Sequence, residues 1–224
     1  MIEYLYFILF ISSSYFLICT LGNYYLKKYK KIQLNKKTNF NFDLKWSFVH
    51  IITSSLAYTC AFYDYQNNNT LLYSISEIKN KGYFYTISNL FFNFLLYDIY
   101  EYFIHRLLHT KWFYRNIHYI HHKNNSPDLL SSFVFHPFET FLLILPLITI
   151  KLIPMCDVLF LLLSTIFYSS TILQHCGFYI PFYENYLGYF FVSPEHHDIH
   201  HLKSKGNYGI FTPFCDYLLN TKLN

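Results

Sequence analysis

Four long apolar runs constrain this chain more than any other feature, because each is long enough to cross a lipid bilayer as a helix. They cover about residues 2–21, 46–63, 83–104 and 138–174. A spanning helix needs about 20 mostly apolar residues. Charged residues make up 13% of the chain, whereas a soluble domain usually carries about 25%. The sequence therefore predicts an all-α integral membrane protein.

The fourth run is long enough for two helices and contains its own interruptions. Pro146 and Pro154 divide it, and Lys151 and Asp157 lie near its middle. Proline breaks a helix, and charged side chains are costly within a bilayer. We therefore expect about three transmembrane helices together with a helical hairpin, which does not need to span the whole membrane.

The placement of positive charge indicates the orientation in the membrane. The first run carries Glu3 and has no positive region ahead of it, which argues against a cleaved signal peptide. Six lysines follow this run: Lys27, Lys28, Lys30, Lys31, Lys36 and Lys37. The positive-inside rule assigns their loop to the cytosol. The N-terminus and the polar loop 64–81, with a glycosylation sequon at Asn68–Thr70, are then expected on the other side.

The number of crossings decides whether the histidines share one side of the membrane. Three crossings and a returning hairpin put every histidine cluster on the cytosolic side. Basic residues accompany the clusters, namely Arg106, Lys111, Arg115, Lys123, Lys203 and Lys205. The sequence thus predicts a cytosolic, histidine-rich helical cap on a membrane bundle, within a single domain over residues 1–224.

Ten of the twelve histidines form the main chemical pattern of the chain. They are the pair His105 and His109, the triplet His118, His121 and His122, the quartet His196, His197, His200 and His201, and the single His175. On a helix, residues three and four apart lie on one face. The pair, the triplet and the last three of the quartet can each converge on one metal ion or bridge two neighbouring ions.

Nine of these ten side chains are candidate ligands, because His196 points away from His197 and is expected to support the ligands from outside. Nine are too many for one tetrahedral zinc ion, which takes about four ligands, and they suit two metals of higher coordination number. Imidazole binds Zn, Cu, Fe and Ni, so ligand type alone does not identify the metal. We predict a di-metal centre held by His105, His109, His118, His121, His122, His175, His197, His200 and His201.

Further polar residues are candidates for supporting roles. His136 is either a tenth ligand or a structural residue, and His50 is expected to be structural. Metal-bound histidines commonly donate their second N–H to a carboxylate. The candidate acceptors are Asp98, Glu101, Glu195 and Asp198. For Asp98 and Glu101, the alternative is pairing with basic residues at the end of their helix.

The motifs HxxxH, HxxHH and a final HxxHH resemble the signature of the fatty acid hydroxylase/sterol desaturase superfamily, and the resemblance covers about residues 95–221. It includes Phe135-His136-Pro137, His175-Cys176-Gly177-Phe178, Asn207-Tyr208-Gly209, Asp216 and Thr221. The double histidine followed by Asp198 is most similar to the C4-methyl sterol oxidase and cholesterol 25-hydroxylase branch. The chain is short for this superfamily and lacks the His-Pro-Gly-Gly motif of a fused cytochrome b5 domain.

The resemblance implies a di-iron oxygenase that hydroxylates or oxidises a C–H bond of a sterol-like or other lipid. It implies two iron ions, for which zinc can substitute in recombinant protein, and O2 as co-substrate. It also implies electrons from a separate donor, such as cytochrome b5 with its NADH-dependent reductase. The expected membrane is the endoplasmic reticulum if the host is eukaryotic, and no nucleic-acid partner is expected.

Alternative functions are compatible with parts of this pattern. A lipid desaturase or a fatty acyl hydroxylase of the same superfamily would carry the same motifs. A non-enzymatic metal transporter would hold its ligands inside the spanning helices, where only His50 occurs. An inactive family member would have lost signature histidines, and all of them are present. The five cysteines lie singly without a CxxC pattern, which favours free thiols in a reducing compartment.

Overall fold

Four long helices dominate the computed structural model of the chain, which describes residues 2–33 and 39–223. They are α1 (Ile2–Leu26), α2 (Phe40–Gln66), α4 (Tyr83–Leu108) and α8 (Asp157–Gln174). The prediction of a mainly helical fold is confirmed. Two of the predicted loop lysines, Lys36 and Lys37, lie outside the described residues.

Shorter elements connect the long helices. The α-helices are α3 (Ile78–Lys81), α5 (Lys111–Phe113), α6 (Tyr119–His122), α7 (Pro137–Ile144), α9 (Pro181–Asn185), α10 (Pro194–Lys203) and α11 (Phe214–Leu218). A π-helical turn covers Tyr114–His118, and 3-10 helices cover Ile75–Glu77, Leu129–Phe133, Leu145–Lys151 and Leu187–Tyr189. Two short strands, β1 (Leu72–Tyr73) and β2 (Met155–Cys156), pair in parallel. All five cysteines are free thiols.

The fourth apolar run forms a hairpin with unequal legs. Its first leg is α7 followed by the 3-10 helix Leu145–Lys151, and its second leg is α8. At the turn, the Lys151 ammonium lies 2.6 Å from the Asp64 carboxylate, and the Tyr65 hydroxyl donates to Asp157 at 3.0 Å. The two charged residues that interrupt the run are therefore stabilised at the hairpin turn, against the last turn of α2.

The opposite end of the bundle joins the chain after α1 to the histidine-bearing segments. Lys31 forms an antiparallel bridge with Phe178, and the Ile32 N–H donates to the Gly177 carbonyl at 3.0 Å. Gln33 donates to the Asp198 carboxylate at 2.5 Å, beside His197. The basic segment and the histidine clusters thus lie at the same end of the bundle.

Polar side chains face inward on the long helices, while large apolar side chains face outward. On α4, Asn93, Asp98 and Glu101 are buried, whereas Phe84 is 86% exposed and Phe91 is 61% exposed. A water-soluble helix shows the reverse distribution, with its apolar face toward the core. Helix α4 therefore presents large apolar side chains outward and buries polar ones on its inner face.

Among the described helices, two are long and apolar enough to cross a membrane, Tyr4–Leu26 of α1 and Asp157–Gln174. The predicted count of about three spanning helices and a hairpin is larger than this number. Core helices of soluble proteins and signal sequences share the same length and composition. The membrane topology is therefore still a prediction.

An apolar cluster fixes α1 and α2 to the segment that leads into α7. Tyr15 of α1 is fully buried and stacks on Phe133 with ring centroids 4.6 Å apart. Its hydroxyl donates to the Leu130 carbonyl at 2.5 Å and lies 3.1 Å from the Ser47 hydroxyl of α2. Burial and hydrogen bonding together hold this segment against the first two helices, close to the histidines.

We expect Gly177→Ala to destabilise the protein more than Gly188→Ala. Gly177 has a φ of +70°, and a Cβ there would lie 2.8 Å from the Pro127 carbonyl oxygen. At Gly188, whose φ lies outside the left-handed region, the nearest atoms would be 3.4 Å away. Left-handed backbone alone costs a non-glycine residue about 1–2 kcal/mol. Thermal unfolding in detergent should give a lower midpoint for Gly177→Ala, and equal midpoints would contradict this packing.

Candidate metal centre

The nine predicted ligands come together as two adjacent groups of imidazoles. The five-histidine group contains His105, His109, His118, His122 and His200. The four-histidine group contains His121, His175, His197 and His201. Within each group, the candidate ligand nitrogens all lie within 4.8 Å of one another. Eight of the nine side chains are buried, and His109 is partly buried.

The triplet His118, His121 and His122 is divided between the two groups, and so are the last three histidines of the quartet. His118 and His122 belong to the five-histidine group, while His121 belongs to the four-histidine group. In α10 the division is reversed, because His200 belongs to the five-histidine group and the other two belong to the four-histidine group. Each triplet therefore bridges the two groups, which is one of the two arrangements that the spacing left open.

The orientation of most imidazoles is fixed by hydrogen bonds from Nδ1 to backbone carbonyl oxygens. The pairs are His105–Tyr208 (2.9 Å), His109–Ser204 (3.0 Å), His121–Val134 (3.3 Å), His175–Thr171 (2.7 Å), His200–Gly206 (2.6 Å) and His201–Asn124 (3.1 Å). A carbonyl oxygen only accepts, so Nδ1 carries the proton in each ring. The Nε2 atom of each ring then carries no proton and has a free lone pair.

The remaining three Nδ1 atoms have different surroundings. His118 Nδ1 lies 2.7 Å from Glu139 Oε1, and both side chains are buried. His122 Nδ1 lies 3.4 Å from the Ser204 hydroxyl. His197 Nδ1 has no hydrogen-bond partner among the described residues. Glu139 is thus the carboxylate that supports a candidate ligand directly.

The Nε2 atoms face one another at distances suited to a shared cation. In the five-histidine group, His109 Nε2 lies 3.1 Å from that of His200 and 3.0 Å from that of His118. In the four-histidine group, His197 Nε2 lies 3.1 Å from that of His175. With metal–nitrogen bonds of about 2.1 Å, ligand nitrogens lie about 3.0 Å apart at right angles and about 3.4 Å apart in a tetrahedron. Lone pairs at this spacing repel, and a metal ion between them would remove the repulsion.

Burial also keeps these imidazoles neutral, which metal binding requires. Burial first, and the neighbouring imidazoles second, lower the pKa of a set of six histidines well below the usual range: His118, His121, His122, His197, His200 and His201. Their nitrogens are therefore available as ligands at neutral pH.

Three of the carbonyl acceptors belong to one loop, residues 204–208, directly after α10. This loop turns sharply, with positive φ at Ser204 (50°), Gly206 (64°) and Asn207 (50°). Its carbonyl groups accept from three members of the five-histidine group. We call it the carbonyl loop. Its position determines where those three Nε2 atoms point.

Asp216 of α11 holds the far end of the carbonyl loop. Its carboxylate accepts from the N–H groups of Tyr208 at 2.8 Å and Gly209 at 2.7 Å. It also accepts from the Thr221 hydroxyl at 2.7 Å and lies 3.3 Å from His196 Nε2. Burial would raise the pKa of Asp216, but the nearby His196 imidazole and the hydrogen bonds from Thr221 and Gly209 lower it. The anchor of the loop is therefore an ionised carboxylate.

Two of the four carboxylates predicted to accept from the ligands, Asp98 and Asp198, bind groups outside the histidine clusters. Asp98 accepts from the N–H of Thr212 at 3.0 Å and from its hydroxyl, and Asp198 accepts from Gln33. Glu101 is buried in a cavity wall. Glu195 lies in the first turn of α10. The prediction was wrong for Asp98, because this part of α4 packs against the C-terminal segment that contains Thr212.

The remaining histidines have structural contacts. His196 contacts Asp216, and so supports the carbonyl loop rather than a ligand. His136 caps α7, accepting from the Phe138 N–H at 3.1 Å. His50 lies 3.0 Å from the Thr140 hydroxyl.

The sequence did not identify Glu139 as the partner of His118. The available signal was a single carboxylate at the start of an apolar run, directly after His136-Pro137. An ionisable residue in such a position is expected to have a functional partner.

A cavity of about 1130 Å³, including its open mouth, extends from the histidines into the bundle. Five candidate ligands form its inner end: His105, His118, His121, His175 and His197. Its walls come from α2, α4, α7 and α8 and include Phe133, Phe135, Leu143, Leu147 and Phe167. The histidines are therefore accessible from the apolar interior of the bundle.

The chain is similar to known proteins over the region that carries the histidine clusters. The fatty acid hydroxylase family model matches residues 90–221. Methylsterol monooxygenase 1 of Gallus gallus is 29% identical over 223 residues, covering 94% of this chain and 73% of that protein. The protein of the same name from Rattus norvegicus is 36% identical over 128 residues, covering 55% of this chain and 43% of that protein.

The name of a third relative refers to a different reaction. Very-long-chain aldehyde decarbonylase GL1-10 of Oryza sativa subsp. japonica is 33% identical over 132 residues, covering 57% of this chain and 44% of that protein. The chain thus aligns with less than half of the rat and rice proteins, and with most of the chicken protein. No solved structure matches the chain.

We expect Asp216→Asn to weaken metal binding in the five-histidine group. The two N–H groups donate to different carboxylate oxygens, so the substitution places an NH2 donor opposite the N–H of either Tyr208 or Gly209. A buried N–H without an acceptor costs about 1–3 kcal/mol, so the carbonyl loop should lose its fixed position. Metal analysis should give about one ion per chain, against about two in wild type, because supporting residues tune metal affinity. Glu195→Gln is the control, and full metal content in Asp216→Asn would contradict the role of the loop.

Proposed function

The chain belongs to the fatty acid hydroxylase family, and we propose that it is a membrane-bound di-iron oxygenase that hydroxylates or oxidises a C–H bond of a sterol-like lipid. The observation that carries the proposal is the cavity, because it connects two groups of metal-binding histidines with the apolar interior of a helical bundle. A lipid substrate dissolves in the bilayer and can enter between the helices. The methylsterol monooxygenases among the relatives support a sterol-like substrate.

The residues of the chain hold the reactants rather than react themselves. The five-histidine and four-histidine groups would each hold one iron ion, and the two ions would supply the activation of O2 needed to attack an unreactive C–H bond. The Nδ1 hydrogen bonds keep each Nε2 lone pair directed inward. The apolar walls exclude water from the reacting carbon. Phe167 of α8 packs on Phe211 with ring centroids 3.8 Å apart and closes one side of the cavity.

The membrane topology is part of the same proposal. We propose three spanning helices, α1, α2 and α4, together with the α7–α8 hairpin, in one domain over residues 1–224 whose histidine-motif region covers 95–221. On α4, the exposed face is apolar and the buried face carries polar side chains, which supports this topology. The basic segment after α1 lies at the histidine end, which supports a cytosolic metal centre by the positive-inside rule. In a eukaryotic host the membrane would be the endoplasmic reticulum.

We propose that electrons come from a separate cytosolic donor, such as cytochrome b5 with its NADH-dependent reductase. Basic residues that follow α1 (Lys27 and Lys28) or lie beside the histidine motifs in the sequence (Arg106, Lys111, Arg115 and Lys203) support an acidic partner. Complementary charge raises the rate of association and sets the orientation of partners.

The aldehyde decarbonylase among the relatives favours a second group of candidates at the same site. These are other oxidations of long-chain lipids, including desaturation and acyl hydroxylation. The same histidines and cavity would serve them, so the products distinguish the reactions.

Metal analysis tests the centre directly. Protein purified in detergent should contain about two iron ions per chain, because nine imidazoles suit two ions of higher coordination number. His200→Ala removes a member of the five-histidine group, and His121→Ala removes a member of the four-histidine group, so each should lose metal. His136→Ala is the matched control and should keep both ions. Two zinc ions would support the site without identifying its native metal, and metal-free protein with unchanged variants would contradict the proposal.

Product analysis tests the reaction. The purified protein is incubated with a methylsterol, heavy-isotope O2, NADH, cytochrome b5 and its reductase. Hydroxylation should give a product that contains one labelled oxygen atom, since the alcohol oxygen comes from O2. An unlabelled alkene would indicate desaturation instead. His121→Ala should form neither product, and labelled product from that variant would exclude the histidine centre as its source.

A further inference from the structure

Two buried glutamates interrupt the apolar wall of the cavity close to the histidines. Glu101 of α4 is 5% exposed, Glu139 of α7 is 1% exposed, and both line the cavity. Carboxyl groups are rarely buried without a partner. Their presence in a wall otherwise rich in leucine and phenylalanine therefore requires an explanation.

Both glutamates lie within one helical turn of the five-histidine group. Glu101 precedes His105 by four residues, so it lies on the same face of α4, about 6 Å away along the axis. Glu139 reaches the group directly, because its Oε1 accepts from His118 Nδ1 at 2.7 Å. A group bound between the two glutamates would therefore be next to the reacting centre.

Glu139 uses only one of its two carboxylate oxygens in a hydrogen bond. Its Oε2 is buried and has no hydrogen-bond partner among the described residues. A carboxylate oxygen only accepts, and a buried acceptor without a donor is costly. A donor from a molecule in the cavity would satisfy it.

We propose that Glu101 and Glu139 form a polar subsite that binds a hydroxyl group of the lipid substrate, so that the oxidised carbon lies within a few bonds of that hydroxyl. The hydroxyl donates its one proton to Glu139 Oε2 and accepts from the protonated carboxyl of Glu101. This inference rests on the proposed function and specifies which end of the lipid faces the histidines. The donor is a neutral hydroxyl rather than an ammonium group, because a cationic metal centre would repel a second cation at this distance.

The far end of the cavity offers another position for a polar head group. Tyr58, Tyr97 and Ser164 line it there, and Tyr97 precedes His105 by eight residues, or about 12 Å along α4. A head group bound at this end would present a distant carbon to the histidines. These hydroxyl groups both donate and accept, so they can satisfy one another, whereas Glu139 Oε2 needs an external donor. The glutamates are therefore the stronger site.

Equilibrium binding to the metal-loaded protein in detergent tests this subsite. The probes are a methylsterol and the matching methylsterane, which lacks the hydroxyl. Wild type should bind the methylsterol at least about tenfold more tightly, since a hydrogen bond to a charged group is lost with the sterane. Glu101→Leu should reduce this preference by about threefold or more, because the donor to the substrate hydroxyl is lost while Glu139 still accepts from it. Glu101→Gln should reduce it by a smaller factor, because its NH2 group can still donate. Both variants should keep wild-type metal content, which shows that they fold.

Tyr58→Phe and Tyr97→Phe are the matched controls within the same cavity, and the ratio of the two affinities should not change in them. Loss of the preference in these variants, with its retention in Glu101→Leu, would overturn the proposal and assign the head group to the far end. Equal binding of both probes to wild type that still oxidises the methylsterol would overturn the subsite and leave the proposed function intact. A metal-loaded wild type that neither binds nor oxidises either lipid would overturn both.

Discussion

The hydrogen bonds from Nδ1 to the backbone are the interaction on which the rest of this structure depends. Six rings in two compact groups direct unprotonated Nε2 atoms toward one another, these lone pairs repel unless a cation lies between them, and a free imidazole would rotate away. Six backbone carbonyl groups prevent that rotation. A backbone carbonyl is a precise support only if its own segment is rigid. The site therefore requires fixed segments well beyond the histidines, and the fold supplies them.

Each supporting segment is fixed by a different means. The carbonyl loop is held by Asp216, whose carboxylate satisfies two consecutive N–H groups. The segment before α7 is held by Tyr15 through stacking on Phe133 and a hydrogen bond to Leu130. The support for His175 is the preceding turn of its own helix, through Thr171. The candidate metal centre is thus coupled to α1 and to the C-terminal segment, although neither contributes a candidate ligand.

The sequence predicted the nine candidate ligands and the four long helices because both depend on local information. Helical spacing brings His105 and His109 to one face, and a run of about 20 apolar residues predicts a long helix whatever its neighbours are. The division of each triplet between two groups depends on how helices cross, which spacing does not contain. Carbonyl acceptors were unpredictable because every residue has one. Asp98 was assigned to the histidines from proximity in sequence, yet its partner Thr212 is 114 residues away.

The division of the triplets also determines what the cavity can reach. Since each triplet bridges both groups, the groups are held side by side, with ring centroids of 4.5 Å between His122 and His201 and 5.4 Å between His118 and His121. The inner end of the cavity therefore touches members of both groups. Two separate single-metal sites would leave a substrate next to one ion. Two ions held side by side at the end of one apolar cavity would instead meet the same substrate carbon together, which is the arrangement that a two-metal oxidation of a lipid requires.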